Sequence, residues 1–199
     1  MNRWTTRDLV TLAVFGALWG AVEISLGSVM HALHVPLTGL VVGALGMVIA
    51  LTGYGFVPRR GAVLVMGVVS ALLKIFSIGS AVVGPMLAIV VEALVAEVGL
   101  ALAGGRPRRP ALMLAGGLGV LWSFAHPFVT LGFFGGGGTV MVTRRVVENG
   151  VRLFGLDPNA VALIVVLMAA LHLVAGLVAG AVAYDLGRQL VQRMQPREE

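Results

Sequence analysis

Six apolar runs, each about long enough to cross a hydrocarbon layer, follow one another along this chain: about 9–29, 36–57, 61–79, 82–104, 111–134 and 160–186. A bilayer core about 30 Å thick takes about 20 apolar residues per helix, and a continuous run of that length reads as a spanning helix rather than an alternating strand. The expected fold class is an all-α integral membrane protein with six transmembrane helices. With 199 residues, 58% hydrophobic and only 12% charged, nothing is left over for a soluble domain, and residues 1–199 are expected to form one transmembrane domain. Enzymes built around a sheet are excluded on the same ground.

The breaks between runs are turn formers or charges: His34-Val35-Pro36, Pro58-Arg59-Arg60-Gly61, Gly84-Pro85, Gly104 to Pro110, and a long stretch from Gly135 to Pro158. Charge then sets the orientation. Arg3, Arg7, Arg59, Arg60, Arg106, Arg108, Arg109, Arg188, Arg193 and Arg197 fall on one side, and Lys74, Arg144, Arg145 and Arg152 on the other. The positive-inside bias makes the first side cytoplasmic, so both termini are expected inside, in a multi-pass protein of the cell membrane. The net charge of +5 is explained by this topology, and no nucleic-acid partner is expected; the lipid bilayer is the first partner. Arg3 and Arg7 before an apolar run fit a secretory signal, but that run extends to about Val29, longer than a signal h-region, and it is expected to stay as the first span.

The fifth connection is different in kind. Gly135 to Gly138 is a flexible joint, and Thr139 to Phe154 places Val142, Val146 and Phe154 among Arg144, Arg145, Glu148 and Arg152, an amphipathic outer segment between the fifth and sixth spans. It reads either as an interfacial anchor or as a lid over the outer mouth. Asp157-Pro158-Asn159 supplies a cap-like start for the last span.

Ionisable groups inside apolar runs are costly and therefore informative. At 1.5 Å per residue from the cytoplasmic ends, Glu23 lies about 22 Å up, Lys74 about 20 Å, Glu92 about 18 Å, His126 about 24 Å and His172 about 20 Å, one layer displaced outward. Ser70, Lys74 and Ser77 share a helical face, as do Ser123, His126 and Thr130. Pro127 is expected to kink the fifth helix and free the Ser123 carbonyl, and Trp122 is either a stacking platform or an interfacial anchor. The expected substrate-binding residues are Glu23, Lys74, Glu92, Trp122, Ser123, His126 and His172. Structural readings stand beside them: Lys74 pairing with Glu23 or Glu92, and His172 as a hydrogen-bonded core histidine. Glu97, about 10 Å from the cytoplasmic end, reads as structural or as part of a contact with a partner. His31 and His34, with Glu23 nearest, are an alternative transition-metal site. With no cysteine in the chain, thiolate chemistry is excluded.

Small residues mark the faces where helices meet in lipid. Gly176-x-x-x-Gly180, and Ala88, Ala96, Gly99 and Ala103, read as internal packing. On the first span Ala13, Ala17 and Ala21 recur every fourth residue, with Gly16 and Gly20 alongside, a smooth face for packing or for docking a partner. No G-x-x-x-x-G-K-[ST], G-x-S-x-G or H-E-x-x-H is present, so ATP is not bound by this chain, no catalytic residue or cofactor is expected, and the chain is not read as an enzyme.

Six spans with both ends inside, the Ala13, Ala17, Ala21 face and the outward polar layer resemble the substrate-binding S components of energy-coupling factor (ECF) vitamin transporters. The resemblance implies capture of a vitamin or vitamin precursor from outside. It also implies docking of Ala13, Gly16, Ala17, Gly20 and Ala21 on a transmembrane coupling subunit that carries two cytoplasmic ATPases. The segment from Pro85 to Glu97 and the run after Arg59-Arg60 look similar to members handling thiamine or its hydroxymethylpyrimidine precursor. Aromatic residues are sparse for a site that stacks flat vitamins, at 7%. The alternatives are a small scaffold or assembly subunit of a larger membrane complex, a transition-metal uptake component, and an intramembrane enzyme using His126 and Glu92.

Overall fold

The computed structural model describes residues 3–77, 83–130 and 138–194. The described residues form seven α-helices and no strand: α1 (Thr6–Ala32), α2 (Thr38–Phe56), α3 (Ala62–Leu73), α4 (Val83–Leu102), α5 (Arg109–Val129), α6 (Gly138–Phe154) and α7 (Val161–Met194). Five of them, α1, α2, α4, α5 and α7, are long and apolar enough to cross a membrane. Their outward faces carry large apolar side chains, among them Val10, Val14, Leu18, Leu87, Leu94, Val174 and Val178, as solvation by lipid requires.

The third apolar run is shorter as a helix than its expected 61–79. Regular α-helix stops at Leu73, a 3-10 turn follows over Lys74–Phe76, and Ser77 is extended with φ −71° and ψ 141°. The Ser77 hydroxyl pairs with that of Ser28 at 2.9 Å, a tie across to α1 just beyond the point where the chain leaves the helical path. In the other direction α7 runs past 186 to Met194, through Gly187, since Arg188, Gln189, Leu190, Gln192 and Arg193 are sound helix formers. Residues 131–137, with most of the Gly135 to Gly138 joint, and Arg197 lie outside the described residues.

Local chemistry accounts for the helix ends. Thr5 and Asp8 form a reciprocal capping box at the start of α1, and Glu97 Oε1 accepts from the Val63 amide at 2.7 Å, capping α3 from the side, the structural role expected of it. The Asp157 carboxylate accepts from the Asn159 amide at 2.7 Å, and α7 starts two residues later. One end of the bundle gathers the segments that bear Arg3, Arg7, Arg59, Arg60, Arg106, Arg108 and Arg109, while Arg144, Arg145 and Arg152 lie on α6. Arg59 reaches Asp8 at 3.3 Å, Arg109 reaches Asp185 at 3.3 Å, and the Tyr54 hydroxyl donates to the Gly105 carbonyl at 2.8 Å.

Backbones approach closely where the small residues lie. α5 and α7 share the largest helix–helix interface, and a Cβ added at Gly176 would run into the Gly116 carbonyl, one at Gly180 into that of Leu112. Gly99 of α4 likewise faces the Ala115 backbone of α5. On α1, Gly16 and Gly20 press on Met66, Val69 and Leu73 of α3, whereas Ala13, Ala17 and Ala21 are exposed. Gly16 and Gly20 therefore do not extend the alanine face, a correction to the expected docking set. At 100° per residue the buried and exposed arcs of α1 meet between Gly20 and Ala13, and side-by-side spacing does not reveal that border.

α6 is amphipathic as expected, with Val142, Val146 and Gly150 buried; Gly150 sits against Ile164 of α7. Phe154 is exposed rather than part of the buried stripe, and Gly150 takes its place, because a glycine spaced four residues from Val146 lets α6 lie flat on α7.

Gly180→Ala is expected to lower the thermal midpoint of the detergent-purified protein, at a cost of about 1–3 kcal/mol for overpacking. Gly84→Ala, whose added Cβ meets nothing within 4 Å, should leave the midpoint unchanged. Equal midpoints for the two variants would remove the α5–α7 backbone contact as a determinant of stability.

Candidate functional site: a cavity between α1, α2, α4 and α5

Opposite the arginine-bearing end lies a cavity of about 530 Å³. α1 contributes Glu23, Gly27 and His31, the turn after α3 contributes Lys74 and Ser77, α4 contributes Ala88, Ile89 and Glu92, and α5 contributes Trp122, Ser123 and His126. Thr38, Gly39, Val42 and Gly43 of α2 close the remaining side. A volume of this size suits a small organic molecule. Six of the seven expected binding residues are thus brought together, on four segments distant in sequence.

Lys74 is held by α1. Its ammonium donates to the Glu23 carbonyl oxygen at 2.7 Å and to Glu23 Oε2 at 3.1 Å, with both side chains largely buried. The pair needs close contact of α1 with α3 immediately below it, and the backbone approach of Gly20 to Ser70 and Leu73 supplies that contact. Glu92 is placed differently. It is 4% exposed, and its Oε1 has no hydrogen-bond partner among the described residues. Buried carboxylate oxygens are ordinarily paired, because the loss of hydration is otherwise uncompensated. Trp19 Nε1 and Ser70 Oγ are also unpartnered, but both belong to neutral groups in the helix interfaces away from the cavity.

The aromatic wall is fixed. Trp122 Nε1 donates to the Ala88 carbonyl at 3.1 Å, tying α5 to α4, and the Trp122 and His126 rings lie 6.4 Å apart, centre to centre. The His126 side chain interacts with the backbone of Ser123, the carbonyl that Pro127 leaves without its helical donor. The Ser123 hydroxyl donates to the Val120 carbonyl at 2.7 Å, so it offers its acceptor side to the cavity.

No family model matches the chain, and no curated protein or solved structure matches it. The site therefore stands on its own geometry.

Other expected residues lie elsewhere. His172 is a correction: it does not line the cavity but is 5% exposed among the side chains of α5 and α7, its Nδ1 2.7 Å from the Met168 carbonyl and its ring 5.2 Å from that of Phe124. Its depth matches the polar layer, but its helical face points toward Phe124. Ser70 is fully buried and outside the cavity, and the Thr130 hydroxyl is turned back to the His126 carbonyl at 3.0 Å. His31 lines the cavity, whereas His34 is exposed in the α1–α2 turn with φ 52°. Among the described residues no group of three His, Asp or Glu side chains is placed to hold a metal ion.

Two cavity residues escape a search for polar or ionisable groups. Gly27 lies one turn above Glu23, where an added Cβ would be 3.6 Å from Lys74 Nζ, and Gly43 faces Glu92, where an added Cβ would be 3.2 Å from Oε1. Their contribution is empty space. In the sequence, the signal for Gly27 is its i+4 spacing from a buried carboxylate.

Lys74→Met is expected to destabilise the protein by about 3 kcal/mol, since it leaves Glu23 buried and unpaired, while the Glu23→Met, Lys74→Met double variant should recover most of that loss. Thermal unfolding of the two purified variants decides it, and a double variant no more stable than the single one would show that the pair does not offset its own burial.

Proposed function

We propose that this chain crosses the cell membrane six times, with both termini and the arginine-rich end in the cytoplasm, and captures a small organic molecule from outside as the S component of an ECF-type importer. The observation that carries the reading is the cavity: about 530 Å³, at the end away from the arginine clusters, with an ion pair and an unpartnered carboxylate among apolar walls. A protein that only packs against partners has no need to bury charge around an empty space of this size.

In this reading α1, α2, α4, α5 and α7 are five of the crossings, and the short apolar segment Ala62–Phe76 is the core of the sixth. The ligand is a vitamin or vitamin precursor, with thiamine and its hydroxymethylpyrimidine precursor the first molecules to test. ATP is hydrolysed by two cytoplasmic ATPases, reached through a transmembrane coupling subunit. The exposed Ala13, Ala17 and Ala21 arc of α1 is the docking face: small side chains on a helix open to its surroundings permit close approach by another helix. α6, with Arg144 paired to Glu148 on its outer side at 2.9 Å, lies along the outer surface.

Mass spectrometry of the detergent-purified protein is expected to find a bound vitamin-sized molecule, and adding that molecule should raise the thermal midpoint. An empty protein whose midpoint responds to no vitamin would overturn the reading in favour of a scaffold subunit. Docking has its own test. In cells that also make a coupling subunit and its ATPases, Ala13→Trp with Ala17→Trp should abolish uptake while ligand affinity changes less than about threefold, well under 1 kcal/mol. Loss of affinity in parallel with uptake would count against a dedicated docking arc.

A further inference from the structure

We infer that the cavity selects by charge: it takes an organic cation, seated on Glu92, and turns away anions. This deepens the capture reading and rests on it for the cavity's having a ligand at all. The charged side chains that line the cavity are Glu23, Lys74 and Glu92, with His31 and His126 as the remaining titratable groups. Lys74 is the only lysine or arginine among the lining residues, and it is already committed, donating both to the carbonyl and to the carboxylate of Glu23. Glu23 is matched by the same contact. Among the described residues Glu92 Oε1 is left without a partner; a lone buried carboxyl keeps its proton until a cation replaces it, and in a low-dielectric site the resulting ion pair is far stronger than in water.

An anionic ligand has two ways to enter, and both are unfavourable. It can lie against Glu92, which then has to stay protonated and offers the anion no counter-charge. Or it can take Lys74 from Glu23, which then leaves Glu23 as a second unpaired buried carboxylate. A cation meets neither obstacle. It completes Glu92, and the third N–H of Lys74 remains for a neutral acceptor such as a ring nitrogen or a hydroxyl on the same molecule. Trp122, immobilised by its bond to Ala88, adds an aromatic face suited to a cation.

Gly43 of α2 packs directly on this group: a Cβ there would lie 3.2 Å from Glu92 Oε1 and 3.5 Å from the Ser123 Cβ, so a side chain at 43 would press on the carboxyl.

The first measurement needs no vitamin. In a Trp4→Phe background the remaining tryptophans are the fully buried Trp19 and the cavity-lining Trp122, so collisional quenching in a nonionic detergent reports on the cavity. N-methylpyridinium is expected to quench Trp122 more than iodide does, and Glu92→Gln should reduce that ratio by about threefold or more, whereas Glu92→Asp, which keeps the charge, should largely preserve it. A ratio unchanged by Glu92→Gln overturns the inference.

The second measurement is calorimetric titration with thiamine as the cation and biotin and pantothenate as anions. Thiamine is expected to bind at least about tenfold more tightly than either anion and to lose about tenfold or more in Glu92→Gln. If an anionic vitamin binds and thiamine does not, capture stands and charge selection falls. If no vitamin binds while the Glu92-dependent quenching asymmetry is present, the capture reading falls and the charge assignment stands.

Discussion

The backbone contact between α5 and α7 is the interaction from which the bundle is built outward. Among helices solvated by lipid there is little hydrophobic gain in association, so contact depends on how closely two backbones can approach. Gly116 of α5 meets Gly176 and Gly180 of α7 with no side chain between them, and Gly180 also meets the Leu112 carbonyl. On its other side α5 is fixed by Gly99 of α4 against Ala115, and by Gly119 against Met47 of α2. A helix pinned on three sides in its first half can carry a less tightly packed second half. Trp122, Ser123 and His126 are in that second half, beside the cavity.

The bundle is accordingly divided along its length. Toward the arginine-bearing end the interior is filled by Leu12, Leu51, Tyr54, Val63, Leu100 and Leu112, all nearly or fully buried. Toward the other end the glycines no longer face another backbone: Gly27 and Gly43 border the cavity instead. The same residue type closes one half and opens the other. What decides between them is the neighbour, a packed backbone or apolar side chain below and a charged side chain above.

Much of this was legible in the sequence, for a physical reason. A charge inside an apolar run carries a penalty large enough that few survive without purpose, so counting residues from the helix ends located Glu23, Lys74, Glu92 and His126 at one depth, and the structure places all four around one cavity. Depth is one coordinate and rotation another. His172 has the right depth, but it faces Phe124, a rotation that the run of leucine, valine and alanine around it does not specify. Gly16 and Gly20 were misplaced through the same gap, since small residues mark a helix as closely packed without showing which arc meets the neighbour. The early end of α3 was illegible because the apolar run continues past Leu73, and the contact that Ser77 makes beyond it is with Ser28, 49 positions away.

The packing of α1 on α3 connects these observations. Gly20 brings its backbone against Ser70 and Leu73, and Lys74 is the next residue of the chain. With the helices this close, the Lys74 ammonium reaches both the carbonyl and the carboxylate of Glu23, one turn above Gly20. The cation at this depth is thus held on α1, and Glu92 Oε1 on α4 is left without a partner among the described residues.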